Sequence, residues 1–186
     1  MRALGMDPVH DTRTCFRALV DAMSRPGTIT QSPTEPADHA VLATLVDHEV
    51  TCWTPDETLR TALENEGRLT AVDHTEASIV HAPAPAECPV RDLKRGSLKE
   101  PSNGATVVYR VETLTADPKL ADDVTTLALS GPGIPGQRQL GVLGFSPTTA
   151  RALADAQSTY PRGVDAVLTT ERSIAAVPRA VELEVA

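Results

Sequence analysis

Helical segments alternate with short apolar strands along the chain, and this order constrains the fold more than any single motif. Such alternation is typical of α/β proteins, in which helices cover a sheet. Apolar residues at helical spacing predict helices over 11–23, 39–46, 58–66 and 146–157. Runs of β-branched and apolar residues predict strands over 50–53, 77–82, 105–111, 127–129, 140–143, 164–169 and 181–185. We therefore expect an α/β fold with a mixed sheet covered by helices.

The first predicted helix carries its own start and stop signals. Asp11 or Thr12 is expected to cap its start, and Pro26 is expected to end it. Arg17 and Asp21 stand one turn apart and are expected to pair. The residues expected on its buried face share helical spacing: Phe16, Leu19, Val20 and Met23.

The composition limits the class of protein. With 186 residues, of which 41% are apolar, the chain suits one globular domain over residues 1–186. A net charge of -8 would repel a phosphate backbone, so nucleic-acid binding is not expected. The first residues lack the apolar segment of a signal peptide, and no apolar run is long enough to span a bilayer. The three cysteines are widely spaced, which does not indicate a disulfide framework. We expect a cytoplasmic protein that binds no membrane.

The stretch LALSGPGIPGQ, residues 127–137, fits two phosphate-binding templates. Gly131, Gly133 and Gly136 match G-x-G-x-x-G, and the outer two also match the glycines of a nucleotide P-loop. Both templates need backbone N–H groups that open into a helix N-terminus. Two prolines remove such donors, Gln137 stands in the place of the P-loop lysine, and a strand is predicted to follow. The stretch therefore favours a rigid turn between strands, with phosphate binding as the alternative.

Three other groups of side chains bear on metal binding or catalysis. Zinc ligands could come from residues whose spacing does not favour a site: His48, Cys52, His74, His81 and Cys88. Ser130 or Ser24 could join His74 and Asp165 in a catalytic triad, although no G-x-S-x-G turn is present. The trio at 47–49, DHE, could supply a general base or form a solvated helix end. A structural role is preferred for each group, no metal is expected, and the catalytic residues stay unknown.

Two arginines directly follow prolines, Arg162 in YPRG and Arg179 in VPRA. Because proline restrains the backbone, such arginines suit bidentate recognition of a phosphate or carboxylate. The alternative is a surface arginine in an ordinary salt bridge.

Six segments stand in an order that resembles one known family. They are FRALVDAMSRPG (16–27), LATLVDHEVTCW (42–53), EPSNGATVVYRV (100–111), LSGPGI (129–134), YPRGVDAVLTT (160–170) and VPR (177–179). Their order and spacing resemble the PhnH family, the H subunit of the bacterial carbon-phosphorus lyase core complex. The resemblance runs nearly end to end, although Ala180 stands where the family often has threonine and residues 55–73 match no motif.

The resemblance implies a three-layer α/β/α sandwich with a mixed sheet, similar to PLP-dependent transferases but without PLP. The sequence is compatible with this, since a PLP enzyme needs a Schiff-base lysine. Lys94, Lys99 and Lys119 all lie in polar stretches predicted as loops. No cofactor is expected.

The resemblance also implies a function within a complex of G, I and J subunits. In the first step of phosphonate use, the phosphonate displaces adenine from ATP and gives α-D-ribose 1-methylphosphonate 5-triphosphate, with the I subunit regarded as the catalyst. This chain would then have a structural or assembly role, would be inactive alone, and could form a homodimer when isolated. The alternative is an autonomous enzyme that binds a nucleotide or phosphonate in a PLP-transferase-like cleft.

The residues expected to contact a ligand or partner come from the matched segments. Among them, the arginines would meet a partner carboxylate or the triphosphate, and the glycines would stiffen a turn that borders a cleft or partner. The full set is Arg17, Arg25, Gly131, Gly133, Arg162, Asp165 and Arg179.

Overall fold

A computed structural model describes residues 4–120 and 123–185. The helices in these ranges are α1 (His10–Ser24), α2 (Ala37–Leu45), α3 (Glu57–Asn65) and α4 (Pro147–Gln157). The strands are β1 (Thr30–Gln31), β2 (Thr51–Trp53), β3 (Thr70–Ala71), β4 (Ile79–Ala82), β5 (Thr106–Arg110), β6 (Thr113–Thr115), β7 (Thr125–Ser130), β8 (Gln137–Leu143), β9 (Asp165–Thr169), β10 (Ser173–Val177) and β11 (Glu182–Val185). Short 3-10 helices lie at Pro85–Glu87, Val90–Asp92, Pro101–Asn103 and Pro118–Leu120. Each predicted helix and strand is confirmed.

The strands form two separate sheets. The larger has the order β1-β10-β9-β5-β4-β2-β3, in which neighbours from β9 to β3 are parallel and the β9–β10 and β10–β1 pairs are antiparallel. The smaller is antiparallel throughout, with the order β11-β7-β8-β6. The α/β class and the mixed sheet are confirmed.

The prediction of a single sheet was wrong, because β7 and β8 pair with each other. The short turn over residues 131–136 folds them into a hairpin, with Ser130 opposite Gln137 and Leu127 opposite Leu140. Antiparallel neighbours can be joined by such a turn, whereas parallel strands need a long crossover. β11 then extends the hairpin beside β7.

Alternation along the central strands divides the interior into two cores. On β5, Val107 and Tyr109 point to one face of the larger sheet and Val108 to the other. Residues of α1, α2 and α3 join Val108 in what we call the helical core. Residues of α4 and the smaller sheet join Tyr109 in what we call the two-sheet core. The structure therefore differs from a sandwich with helices alone on both sides, because a sheet and a helix share one outer layer.

The buried face of α1 differs from the prediction. Cys15, Leu19 and Ala22 are buried, whereas Phe16 is 52% exposed and Val20 is 48% exposed. Leu19 of the predicted face is buried and Met23 is partly buried, so the prediction is confirmed for these two. The buried stripe is rotated away from Phe16 and Val20 towards the small residues Cys15 and Ala22.

The start and the surface pairing of α1 also differ from the prediction. Neither Asp11 nor Thr12 caps the helix, since Asp7 precedes it and its Oδ1 accepts from the N–H groups of Val9 at 2.9 Å and of His10 at 2.7 Å. Asp21 pairs with Arg25, one turn after it, at 3.3 Å, and not with Arg17, one turn before it.

The predicted cap of α4 is confirmed, because Ser146 accepts from the N–H of Thr149. Within the described ranges, no helix has the length and apolar character needed to cross a membrane.

Candidate functional site

Arg179 and Asp165 form an almost buried ion pair at one end of the larger sheet. Asp165 begins β9 and Arg179 lies just beyond the end of β10, so the antiparallel pairing of these strands brings them together. Arg179 Nε donates to Asp165 Oδ2 at 3.0 Å, and the Arg179 backbone N–H donates to Oδ1 at 2.8 Å. Nη2 of Arg179 donates to the same Oδ2. The side chains are only 13% and 17% exposed, so the pair is shielded from solvent.

Arg179 also fastens the loop that precedes β5. Its Nη1 donates to the carbonyl of Pro101 at 2.6 Å, and its Nη2 donates to the carbonyl of Gly104 at 3.4 Å. A Cβ on Gly104 would lie 2.3 Å from Arg179 Nη1 and 2.4 Å from the carbonyl oxygen of Gly163. Three of the matched sequence segments thus meet at this arrangement, which we call the arginine clamp (Pro101, Gly104, Gly163, Asp165 and Arg179).

An open cleft of ≈ 430 Å³ lies beside the arginine clamp. Tyr160, which is 68% exposed, lines it together with Ser102 and Thr106. Arg162 lies in the same loop as Tyr160 and is exposed. Asp165 already opposes the positive charge of Arg179, so the arginine clamp holds loops together. The exposed Tyr160 and Arg162 beside it are free to contact another molecule.

The glycine-rich turn packs against the end of α1. Gly133 has φ +80°, and a Cβ on it would lie 2.3 Å from the carbonyl oxygen of Ser24. Arg138 Nη1 donates to the carbonyls of Pro26 at 2.7 Å and Arg25 at 3.2 Å. The predicted strand, β8, follows the turn, so no helix N-terminus is present to hold a phosphate there. The turn instead joins the β7–β8 hairpin to the end of α1.

A buried charge network at the carboxyl ends of β2, β4 and β5 was missed by sequence reasoning. His81 Nε2 lies 2.9 Å from Asp38 Oδ2, and Arg110 Nη2 donates to Asp38 Oδ1 at 2.7 Å. His81 Nδ1 lies 2.9 Å from Thr54 Oγ1. We call Asp38, Thr54, His81 and Arg110 the Asp38 network. The sequence did contain a signal for this network, namely charged or polar residues inside the apolar segments ADHAVLATL, IVHA and TVVYR. Because a buried charge requires a partner, such residues indicate that they pair with one another.

Asp38 stays ionised despite its burial. Burial raises the pKa of its carboxyl, but the hydrogen bonds and charges of His81 and Arg110 outweigh this and hold the pKa at about 2. A second pair adjoins the network, in which His39 Nε2 lies 2.9 Å from Asp56 Oδ2. Asp56 also caps α3 by accepting from the N–H of Leu59 at 3.0 Å. These contacts tie α2 and α3 to the strand ends.

The candidate zinc ligands do not come together. His81 belongs to the Asp38 network, and His74 lies edge-to-face against Trp53 with ring centroids 5.8 Å apart. Burial raises the pKa of Cys52 to about 12 and that of Cys88 to about 11, which disfavours the thiolate form that binds metals. Among the described residues, no three His, Cys, Asp or Glu side chains are arranged to hold a metal ion.

The candidate triads are not assembled either. Both oxygens of Asp165 accept from Arg179, which leaves the carboxylate committed to that ion pair. Ser130 Oγ donates to Glu182 Oε2 at 3.3 Å, and Ser24 Oγ donates to the carbonyl of Asp21. The trio at 47–49 is exposed and lies between α2 and β2, which fits a solvated helix end.

The fold and these contacts define an α/β protein whose most buried charged side chains pair with one another. Comparison with known proteins identifies its family, since a sequence model described as "Bacterial phosphonate metabolism protein (PhnH)" matches residues 5–184. The chain therefore belongs to the PhnH family.

Two curated relatives extend this result. The protein HtxG of Stutzerimonas stutzeri, named as a C-P lyase subunit, is 32% identical over 171 residues, which are 90% of this chain and 83% of the relative. The alpha-D-ribose 1-methylphosphonate 5-triphosphate synthase subunit PhnH of Rhizobium meliloti (strain 1021) is 27% identical over 197 residues, covering 96% of this chain and 92% of the relative. The family model, which matches residues 5–184, includes every segment on which the resemblance was based.

Proposed function

We propose that this chain is a subunit of a carbon-phosphorus lyase complex required for phosphonate utilisation. Within that complex it supports formation of α-D-ribose 1-methylphosphonate 5-triphosphate from ATP and methylphosphonate. One observation carries the proposal: two relatives covered over most of their length are both named as subunits of such systems. The partners in this proposal are subunits of the G, I and J types.

The contacts within the chain support a structural or assembly role. Arg179 and Asp165 neutralise each other, and Asp38 is shared between His81 and Arg110. Catalytic groups must be free to touch a substrate, whereas these groups hold strand ends and loops. We therefore propose that the chain shapes and completes the complex and does not turn over substrate alone.

The exposed candidates are the ones we assign to contacts with partners or the triphosphate. Arg17, Arg25 and Arg162 are exposed, and arginine suits both carboxylate and phosphate. Gly131 and Gly133 support them indirectly by placing the turn against the end of α1. The clamp residues Arg179 and Asp165 would act by shaping the cleft beside Tyr160.

Two further parts of the proposal concern the cofactor and the fold lineage. We propose a likeness to PLP-dependent transferases in which no PLP is bound. The expectation that no PLP is bound is supported by the three lysines that could form a Schiff base, since Lys94 and Lys99 lie in loops and Lys119 lies in a short 3-10 helix. Adding PLP to the purified chain should give no absorbance band of an internal aldimine, and the appearance of such a band would contradict the proposal.

The test is an assay of adenine release from ATP and methylphosphonate by the co-expressed subunits, with and without this chain. We expect a stable complex that contains the chain, activity that requires it, and no activity from the chain alone. Turnover of a nucleotide or phosphonate by the isolated chain would instead support the autonomous enzyme, with the cleft beside Tyr160 as its place of binding.

A further inference from the structure

The helix α1 exposes apolar side chains along one face. Phe16 is 52% exposed, and Val20, one turn further on, is 48% exposed. Val9, at the start of the helix, is 65% exposed and lies two turns before Phe16 on the same side. Scattered exposed apolar residues are ordinary, but three in a row on one helix form a patch of the kind found at interfaces.

Two arginines that pair with no acidic residue in the described ranges flank this apolar stripe. Arg13 and Arg17 are exposed and stand three positions before Phe16 and Val20, which is about one helical turn. Arg25, further along, pairs with Asp21, whereas Arg13 and Arg17 have no acidic partner in the described part of the chain. We call Val9, Arg13, Phe16, Arg17 and Val20 the α1 face.

The helix cannot rotate to hide the α1 face. Cys15, Leu19 and Ala22 on its opposite side are buried in the helical core, where α1 packs against α2 and β10. Turning Phe16 inwards would expose these residues and would force a large ring into a space that they already fill. Exposure of Phe16 is therefore imposed by the packing beneath it.

We propose that the α1 face docks a different protein subunit, one that presents an apolar groove with carboxylates along its rim. The proposal rests on the proposed function, because it identifies where this chain joins a complex. The two arginines set the chemistry of the occupant, since they are complementary to carboxylates. A second copy of the chain is a poorer occupant, because a symmetric contact through this face would bring two pairs of arginines together.

The experiment measures the affinity of the purified full-length chain for the co-expressed remaining subunits. Phe16→Ala should weaken binding about tenfold or more, as expected for a central aromatic contact. The double variant Arg13→Glu/Arg17→Glu should weaken it at least as much, and added salt should weaken wild-type binding more than that of Arg13→Gln/Arg17→Gln. Because Phe16 is about half exposed and both arginines are exposed, each variant should stay folded and unfold in one transition within a few degrees of the wild type.

Matched controls separate the α1 face from general surface effects. Leu98→Ala removes an apolar side chain that is 73% exposed, and Arg151→Glu reverses an exposed arginine on α4. Both controls should bind with unchanged affinity.

Each other outcome overturns a different statement. If the wild type binds and the α1-face variants bind equally well, this docking surface is wrong while the subunit role stands. If the wild type binds none of the subunits, the proposed function and this inference both fail. If Phe16→Ala dissolves a homodimer but leaves the complex intact, the occupant is a second copy and the proposal is overturned.

Discussion

The guanidinium of Arg179 donates hydrogen bonds to groups of its own chain. Its partners are one carboxylate and two backbone carbonyls, and all three lie far from Arg179 in the sequence. The proline before it suggested a rigid arginine, and that much could be predicted. The identity of its partners could not, because Asp165, Pro101 and Gly104 come together only through the pairing of β9 with β5 and β10.

Removing one member of this ion pair should destabilise the fold. Asp165→Ala leaves an almost buried guanidinium without its counter-charge, so we expect a loss of about 3 kcal/mol in the free energy of unfolding, measured with urea. Arg162→Ala, in the adjoining loop, should change stability by less than about 0.5 kcal/mol because its side chain is exposed. Equal losses in the two variants would show that the clamp does not hold these loops.

The Asp38 network predicts a pH dependence of stability. The pKa of Asp38 is lowered from 3.8 to about 2 in the folded state. A depressed carboxyl pKa stabilises the fold above the unfolded pKa, and this contribution is lost as pH falls through the folded value. Relative to Asp38→Asn, the wild type should lose on the order of 2 kcal/mol of stability between about pH 5 and pH 2. Parallel stability curves for the two proteins across this range would contradict the assignment.

At the scale of elements, local patterns predicted the longer helices and strands well, but they did not predict which strands pair with each other. Strand β10 was missed because SIAAV contains two alanines, which are depleted in strands, and because it follows β9 after only three residues. The two- and three-residue strands β1, β3 and β6 were missed because they exist only through pairing with longer neighbours. The separate sheet was also missed, because an apolar strand has the same local pattern in either sheet.

The turn between β7 and β8 gives a prediction at this scale. Gly133→Ala should cost about 3 kcal/mol, because the new Cβ meets the carbonyl oxygen of Ser24 at 2.3 Å and the residue has φ +80°. Gly136→Ala is the matched control, since its φ of +74° is similar but its Cβ would meet nothing within 4 Å. It should cost about 1 kcal/mol. If both variants lose the same stability in urea unfolding, the contact with α1 contributes nothing.

For the whole molecule, the two cores share one sheet, and this predicts a single cooperative unit. Leu42 is buried in the helical core and Leu153 in the two-sheet core. Leu42→Ala and Leu153→Ala should each cost about 2–5 kcal/mol and shift one common transition. Far-UV circular dichroism and Trp53 fluorescence should give coincident unfolding curves for both variants. Separate transitions would mean that the chain consists of two independently folding parts.

The family could be predicted from segment order, whereas the location of a docking surface could not. Phe16 was expected in the core because its spacing fits a buried helix face, and only the packing of Cys15, Leu19 and Ala22 shows that it lies outside. The Asp38 network was overlooked for the related reason that its members are far apart in sequence. Both features depend on which surfaces meet, and helical or strand periodicity does not contain that information.

The cysteines are placed so that thiol labelling can probe local opening of the native chain. Cys15 and Cys52 are buried in the helical core, while Cys88 is partly buried against the other side of the sheet. A thiol reagent can modify Cys15 or Cys52 only when the helical core opens, whereas Cys88 is less buried and should react faster. Labelling rates followed by mass spectrometry therefore report the accessibility of the two sides of the sheet separately. Repeating the labelling with the partner subunits present would show which side of the sheet they protect.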